Sequence, residues 1–139
     1  MRLGWFERLL RIFGLGTLLF GIGPALAPRW FGRLFDLPVS TDPRLLVMVR
    51  SVGVRDATIG LGLLLAAPRQ DAYGPWLLAR IAADAGDTLA VAIAALRGAR
   101  QHRFLGLGVL ATSATATGLL LYWLGRAEQS RAGARAAAA

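Results

Sequence analysis

Four long apolar runs separated by short polar segments form the main pattern of the chain. They cover residues 12–27, 45–67, 75–96 and 104–125, and the segments between them are polar or rich in proline, glycine and arginine. The last three runs would form helices of about 33 to 35 Å, and the hydrocarbon core of a bilayer is about 30 Å thick. The pattern therefore predicts an all-α fold, a four-helix transmembrane bundle in one integral membrane domain over residues 1–139. Residues 126–139 are expected to extend the last helix by a turn or two and then to form a flexible tail.

The composition favours lipid as the surrounding medium. Of the 139 residues, 55% are hydrophobic, and the mean hydropathy is +0.52. A soluble domain of this length has too small an interior to hide that much apolar surface. The absence of cysteine excludes a disulfide framework, cysteine-based metal sites and thiol catalysis.

The net charge of +8 comes from arginine, because the chain has sixteen basic residues and no lysine. Arginine in place of lysine, together with the lack of asparagine, is typical of a high-GC bacterial genome, so we predict a bacterial inner membrane protein. Most of the arginines flank the apolar runs, and they do not form a basic face on a soluble domain. This distribution argues against a nucleic-acid partner.

The orientation follows from the arginines outside the spans. The side that holds both termini carries Arg2, Arg8, Arg11, Arg69, Arg126, Arg131 and Arg135, and the other side carries Arg29, Arg33, Arg44, Arg97, Arg100 and Arg103. Seven against six favours cytoplasmic termini. The first run also resembles a secretory signal ending at Ala25-Leu26-Ala27. Pro28 argues against cleavage there, because its fixed φ and missing N–H hinder extended binding to a peptidase.

An amphipathic pattern lies in the first polar segment, between Pro28 and Pro38. Its apolar face would hold Trp30, Phe31, Leu34 and Phe35, and its charged face Arg29, Arg33 and Asp36. This predicts a short interfacial helix in the headgroup layer between spans one and two. The alternative is a lid over a lateral opening for lipophilic molecules.

Six charged residues lie inside the second and third runs. They are Arg50, Arg55, Asp56, Arg80, Asp84 and Asp87. Each charge costs about 2.5 to 3.5 kcal/mol near a helix centre, while each Leu, Ile, Val or Phe returns about 0.3 to 0.6 kcal/mol. Neither run should insert well alone, so we expect the two to enter the membrane as a hairpin whose charges neutralise each other. The alternative to a working site is that these charges only hold the hairpin in register.

Helical geometry predicts which charges meet. Arg80, Asp84 and Asp87 fall within about 60° of arc on one helix face. Because Arg55 lies at the depth of the two aspartates, we predict that it contacts Asp84 or Asp87. Arg55 and its neighbour Asp56 point in different directions, so together they should need a polar cavity or two partners.

The expected charge balance depends on the two remaining arginines. Arg50 lies near its helix end, where its side chain can snorkel to the interface, and Arg80 is expected to lean toward the opposite surface. Arg55 would then face three aspartates in a cluster of two negative charges. We expect at least one carboxyl group there to hold a proton near neutral pH, which is what a general acid or a proton carrier needs.

The segments VGVRDATIG at residues 52–60 and DAGD at residues 84–87 together resemble a known pattern. It is that of a domain-of-unknown-function family of small four-span membrane proteins from bacteria and fungi. In that family a Gly-x-Arg-Asp element opens the second span and an Asp-x-x-Asp element lies in the third. The resemblance covers spans two and three and implies the four-span fold, with no established activity.

Glycine and hydroxyl residues within the runs are interpreted as packing positions. The glycines resemble fragments of phosphate loops but lack the strand and the lysine; they are Gly14, Gly16, Gly21, Gly60, Gly62, Gly106 and Gly108. Ser113 and Thr117 belong to a small, hydroxyl-rich stretch that either packs closely or lines the polar cavity. His102 has no cluster of metal ligands around it, so we assign no metal and no cofactor.

Three functions from different classes fit these residues. The first is acid/base conversion of a lipophilic small molecule by an isomerase or cyclase, with Asp84 and Asp87 as acid and base, Arg55 setting their ionisation and Asp56 orienting Arg55. The substrate-binding candidates are Arg80, Arg50, Ser113 and Thr117. The second function is a proton-coupled transporter, which would need at least a homo-oligomer, and the third is an accessory or scaffold subunit.

A cavity beside Asp84 and Asp87 would favour the enzyme, and a fully paired cluster would favour the scaffold. Membrane lipids are the expected partners in all three cases.

Overall fold

A computed structural model describes residues 4–38, 42–69, 72–99 and 101–137. Within these residues every regular element is a helix, as the apolar pattern predicts. The five helices are α1 (Trp5–Leu26), α2 (Pro28–Leu34), α3 (Pro43–Ala66), α4 (Tyr73–Leu96) and α5 (His102–Ala137). Asp42 caps α3 by accepting a hydrogen bond from the Arg44 N–H at 2.8 Å, and Pro43 follows at the first position of the helix, where its missing N–H costs nothing.

Glycines allow α1 and α3 to pack backbone against backbone. Gly14 faces Gly60 and Gly21 faces Gly53, which makes the two helices antiparallel. A Cβ atom on Gly21 would lie 2.7 Å from the Gly53 carbonyl oxygen, and one on Gly60 would lie 2.8 Å from that of Gly14. These approaches admit only glycine.

The predicted packing role is therefore confirmed for Gly14, Gly21 and Gly60. It also holds for Gly62, which faces the Trp76 ring, and for Gly108, where a Cβ atom would lie 2.9 Å from Val91. The prediction is wrong for Gly16, which is exposed, and for Gly106, which is half-buried; a Cβ atom on either would have nothing within 4 Å.

The second tight pair is formed by α4 and α5, which are also antiparallel. Gly108 on α5 faces Val91 on α4, and Gly118 faces Ile81. Helix α3 packs on α4 and so connects the two pairs. The apolar core lies toward one end of the bundle, and its most deeply buried members include Phe6, Leu10, Leu63, Tyr73, Leu77 and Leu121.

The two ends of the bundle can be traced from side-chain contacts. At one end the Phe6 and Tyr73 rings lie 5.2 Å apart between centroids and both approach Gly125. At the other end the Arg103 guanidinium lies 3.6 Å from the Asp36 carboxylate. The start of α1 and the later part of α5 therefore lie at the same end, as expected for four antiparallel helices.

Two helix boundaries differ from the predicted runs. Helix α1 begins at Trp5, seven residues before the apolar run, and Glu7 and Arg11 form an i, i+4 ion pair at 2.9 Å on its first turns. Helix α5 continues to Ala137, so the prediction of a flexible tail after a turn or two is wrong. Alanine and arginine are strong helix formers, and they carry the helix about three turns past residue 125.

The segment after Pro28 forms the predicted short helix, with a different apolar face. Phe31 is 8% exposed and packs its ring 5.5 Å from that of Phe20 on α1, whereas Trp30 is 54% exposed. The helix is present as predicted, but Trp30 and Phe31 do not share one apolar surface. Helix α2 turns Phe31 inward onto the bundle, and Trp30 and Leu34 are left on the outside.

Two of the described helices are long and apolar enough to cross a membrane, namely α1 and residues 102–131 of α5. Helices α3 and α4 have a suitable length of 24 residues each, but charged side chains in their middle turns lower their hydropathy. Composition alone thus supports two spanning helices. Whether α3 and α4 can also span a membrane depends on how their charged side chains are paired.

Candidate functional site

Five of the six charges predicted to lie inside the spans form one continuous ionic network between α3 and α4. In order along the network they are Asp87, Arg55, Asp56, Arg80 and Asp84. Acidic and basic side chains alternate, so each arginine lies between two carboxylates. The network crosses the interface of the two helices at mid-length.

The distances within the network are those of direct ion pairs. Arg55 binds Asp87 with two hydrogen bonds, Nη2 to Oδ2 at 2.7 Å and Nη1 to Oδ1 at 3.2 Å. The same guanidinium donates from Nε to Asp56 Oδ1 at 3.0 Å. Arg80 lies 3.2 Å from that same Asp56 oxygen through Nη1 and 2.6 Å from Asp84 Oδ1 through Nη2. Bidentate pairing of a guanidinium with a carboxylate is its strongest geometry.

Burial divides the network into an inner end and an outer pair. At the inner end Asp84 is 1% exposed, Asp56 is 2% and Arg80 is 6%. The outer pair consists of Arg55 and Asp87, whose side chains are 34% and 37% exposed. The inner charges therefore lie in the interior of the bundle, and the outer pair reaches its surface.

The spacing of the residues explains this arrangement. Asp56 follows Arg55 by one residue, a rotation of about 100°, so Asp56 points to the centre of the bundle and Arg55 toward its edge. On α4, Arg80 and Asp84 are four residues apart and pair along the inner face. Asp87 lies about 60° further round and meets Arg55.

The predicted contact between Arg55 and an α4 aspartate is confirmed, and Asp87 is the partner. The expectation that Arg55 and Asp56 together need a polar cavity or two partners is met by two side chains, Asp87 for Arg55 and Arg80 for Asp56, and both come from α4.

The predicted direction of Arg80 is also wrong. Its side chain turns into the bundle, where two carboxylates attract it, and does not reach a surface. Three aspartates and two arginines give the network one negative charge when all are ionised, in place of the two expected.

Three other candidate residues lie apart from the network. Arg50 is exposed on α3 and makes none of the network contacts. Ser113 and Thr117 are exposed on α5, and their hydroxyl groups donate to the carbonyl oxygens of Val109 and Ser113, each at 2.9 Å. Their hydrogen bonds thus stay within their own helix, as residues of a packing helix commonly do.

One polar contact was not anticipated from the sequence. Thr88 donates from Oγ1 to the backbone carbonyl of Asp84 at 2.8 Å, and the same oxygen lies 3.4 Å from Thr112 Oγ1 on α5. Thr88 follows Asp84 by four residues, so helical periodicity could have placed it beside the inner end. It connects the hydroxyl face of α5 to the helix turn that carries Asp84.

Some polar atoms at the inner end lack hydrogen bonds. Among the described residues, the buried atoms without a hydrogen-bond partner are Arg80 Nε, Arg80 Nη1 and Asp84 Oδ2. Nη1 still has the ion-pair contact with Asp56, whereas Nε and Oδ2 have no polar neighbour in bonding geometry. A buried donor and acceptor of this kind each carry a desolvation cost.

Two shallow hollows lie away from the network. One, of about 410 Å³, follows the groove between α4 and α5 and is lined by residues such as Thr88, Val91, Gly108 and Ser113. The other, of about 560 Å³, is an open depression beside Ala90, Ile93 and Ala94. Neither is lined by a member of the network.

In the part of the chain that the structure describes, no group of three or more His, Cys, Asp or Glu side chains is arranged to hold a metal ion. Each network carboxylate also has an arginine against it, and a neighbouring cation opposes metal binding.

Comparison of the chain with protein-family models, curated proteins and solved structures finds no match. The resemblance to a four-span family through the Gly-x-Arg-Asp and Asp-x-x-Asp elements therefore stays a prediction.

Proposed function

We propose that the chain is a four-span integral membrane protein that serves as an accessory or scaffold subunit of a complex in a bacterial membrane. In this proposal the ionic network holds α3 and α4 together as a hairpin. The observation that carries this proposal is that every charged side chain of the network has a partner of opposite charge within 3.2 Å.

The outer surface of the bundle supports a lipid environment for all four long helices. Large apolar side chains point outward from α3 and α4 as well as from α5. Leu65 is 67% exposed, Leu89 is 60% and Val109 is 67%. Water would make an apolar surface of this extent unfavourable, and hydrocarbon would not.

The network removes the main objection to inserting α3 and α4. A lone charged side chain at the centre of a bilayer costs a few kcal/mol, so intramembrane charges face the bundle interior and pair. Here the charges that lower the hydropathy of the two helices are those that pair with each other across their interface. A hairpin that inserts as a unit carries ion pairs in place of separate charges.

The pairing favours a structural role over acid/base chemistry. Proton transfer to a substrate needs a carboxyl group that faces a space large enough for the substrate. The two hollows between and beside α4 and α5 are lined by other residues, and each arginine in the network holds two carboxylates.

A charge exchange tests the structural role. Arg55→Asp alone and Asp87→Arg alone each place two like charges together, and each should destabilise the protein by a few kcal/mol. The double variant restores an opposite pair and should recover at least about half of the summed loss. The free energy of unfolding in mixed micelles is the measurement. If the two single losses in unfolding free energy simply add in the double variant, the network does not hold α3 and α4 together.

Acid/base conversion of a lipophilic small molecule is the second candidate, favoured by the unpartnered Asp84 Oδ2 and Arg80 Nε. A bound molecule could occupy both bonding positions. Infrared difference spectra test this candidate. The acid/base function predicts a protonated carboxyl band near neutral pH that vanishes in Asp84→Asn and shifts when a lipophilic ligand is added. A spectrum without such a band would exclude it.

A further inference from the structure

We propose that a second copy of this chain docks on the outer face of the α3–α4 hairpin, with a two-fold axis along the membrane normal that brings the outer pair of one copy against the outer pair of the other. The inference rests on the four-span proposal, because it needs α3 and α4 in the membrane.

The outer pair is the feature that calls for a partner. Arg55 and Asp87 lie at mid-length of their helices, yet about a third of each side chain remains exposed. At that depth in a bilayer the exposed part faces hydrocarbon, which has no polar group to offer. Charged side chains in this position face another protein surface or a water-filled space.

Charge complementarity selects a second copy as the occupant. Seen along the membrane normal, the outer pair is a side-by-side dipole, with the cation on α3 and the anion on α4. A two-fold rotation about the normal exchanges left and right on the facing surface. Arg55 of each copy then lies opposite Asp87 of the other, and four charges alternate around a square.

The shape of α4 permits a close approach at the same place. Ala79, Ala83, Gly86 and Ala90 fall within about 60° of arc, next to Asp87. Gly86 is exposed and has nothing within 4 Å, so its backbone is open to a neighbouring helix. Small residues at this spacing allow transmembrane helices to pack closely, and polar contacts then add to the packing.

The open depression continues this surface toward the end of α4. It is lined by Ala90, Ile93 and Ala94, and it holds about 560 Å³. A side chain from an opposing helix can fill it. The outer face therefore combines a self-complementary charge pair, a strip of small residues and a concave end.

Disulfide crosslinking tests the proposal on the full chain, which has no cysteine of its own. Ala90→Cys lies on the proposed face, and Ala85→Cys is an exposed control on the same helix, about 140° away. Oxidation in membrane vesicles should give a crosslinked dimer with Ala90→Cys and only background with Ala85→Cys. Equal crosslinking of the two variants, or none with Ala90→Cys, would overturn the inference.

A bulky substitution gives an independent readout of the same interface. Gly86→Leu should lower the dimer fraction in detergent about tenfold, because it holds the helices apart. Gly16→Leu is the matched control, since Gly16 is an exposed mid-helix glycine with nothing within 4 Å on α1. A Gly86→Leu protein that dimerises like Gly16→Leu, or an unsubstituted chain that is monomeric, contradicts the proposal.

The same preparations separate this inference from the four-span proposal. A chain that stays in the membrane with α3 and α4 inserted, yet shows no crosslink, overturns the dimer alone. A chain whose α3–α4 hairpin lies outside the membrane overturns both.

Discussion

Removing an arginine from the ionic network should cost far more stability than removing an aspartate. The informative pair of variants is Arg80→Met and Asp84→Asn, since the two side chains contact each other at 2.6 Å and both lie at the buried inner end. Methionine keeps the apolar stem of arginine, and asparagine keeps the shape of aspartate, so each change mainly removes a charge.

The difference follows from the charge of the network. Asp84→Asn takes it from one negative charge to zero and leaves each arginine with a carboxylate. Arg80→Met takes it to two negative charges and leaves Asp84 buried with no cation within reach. A buried charge that loses its partner costs about 3 to 5 kcal/mol. Proton uptake limits this cost, because protonating an ordinary aspartate at pH 7 takes about 4 kcal/mol.

The neutral replacement of the aspartate should be much milder. Asp84 pairs with Arg80 within α4, and Arg80 keeps Asp56 as a second carboxylate, so we expect Asp84→Asn to cost about 1 kcal/mol or less. In the double variant the unpaired charge is gone, and most of the loss caused by Arg80→Met should be recovered.

Unfolding by sodium dodecyl sulfate in mixed micelles, followed by circular dichroism, gives the free energy for all four proteins. An Arg80→Met protein no less stable than Asp84→Asn would contradict this prediction. A double variant that loses the sum of the two single effects would contradict it as well.

Two further predictions concern packing between the helices. Gly53→Leu should separate α1 from α3, because even a Cβ atom there would lie 2.7 Å from the Gly21 carbonyl oxygen. Gly16→Leu should leave stability nearly unchanged, and the melting temperatures of the two variants in detergent measure the difference. Leu63→Ala should cost about 2 to 5 kcal/mol because Leu63 is fully buried, and Leu65→Ala on the outer surface should change the unfolding free energy by about 0.5 kcal/mol or less.

The helical architecture and the position of the site could be predicted from the sequence because both depend on periodicity. Apolar runs of bilayer length predicted the long helices, and the depth of Arg55 predicted its ion pair with Asp84 or Asp87, of which the structure shows Asp87. The same arithmetic put Arg80, Asp84 and Asp87 on one helix face. These features need only the helical repeat and the cost of an unpaired charge.

The direction of Arg80 could not be derived in the same way. Its long side chain can reach either the interface or the bundle centre, and the choice depends on Asp56, which approaches from another helix. The roles of Gly16 and Gly62 depend in the same way on which faces the bundle covers. The continuation of α5 to Ala137 reflects local helix propensity, which outlasts the apolar pattern.

In the four-span proposal the charged hairpin crosses the membrane, and the side on which residue 69 lies distinguishes this arrangement from one with two spans. Single-cysteine variants at Arg69, Arg33 and Arg131 can be labelled in sealed vesicles with a maleimide that does not cross the bilayer, and labelled again after detergent as a control for access. Arg33 precedes α3, Arg69 follows it, and Arg131 lies near the end of α5.

The four-span account predicts that Arg69→Cys is labelled from the same side as Arg131→Cys and from the side opposite to Arg33→Cys. If only α1 and α5 cross the bilayer, Arg69→Cys will instead be labelled together with Arg33→Cys, and that result would contradict the account.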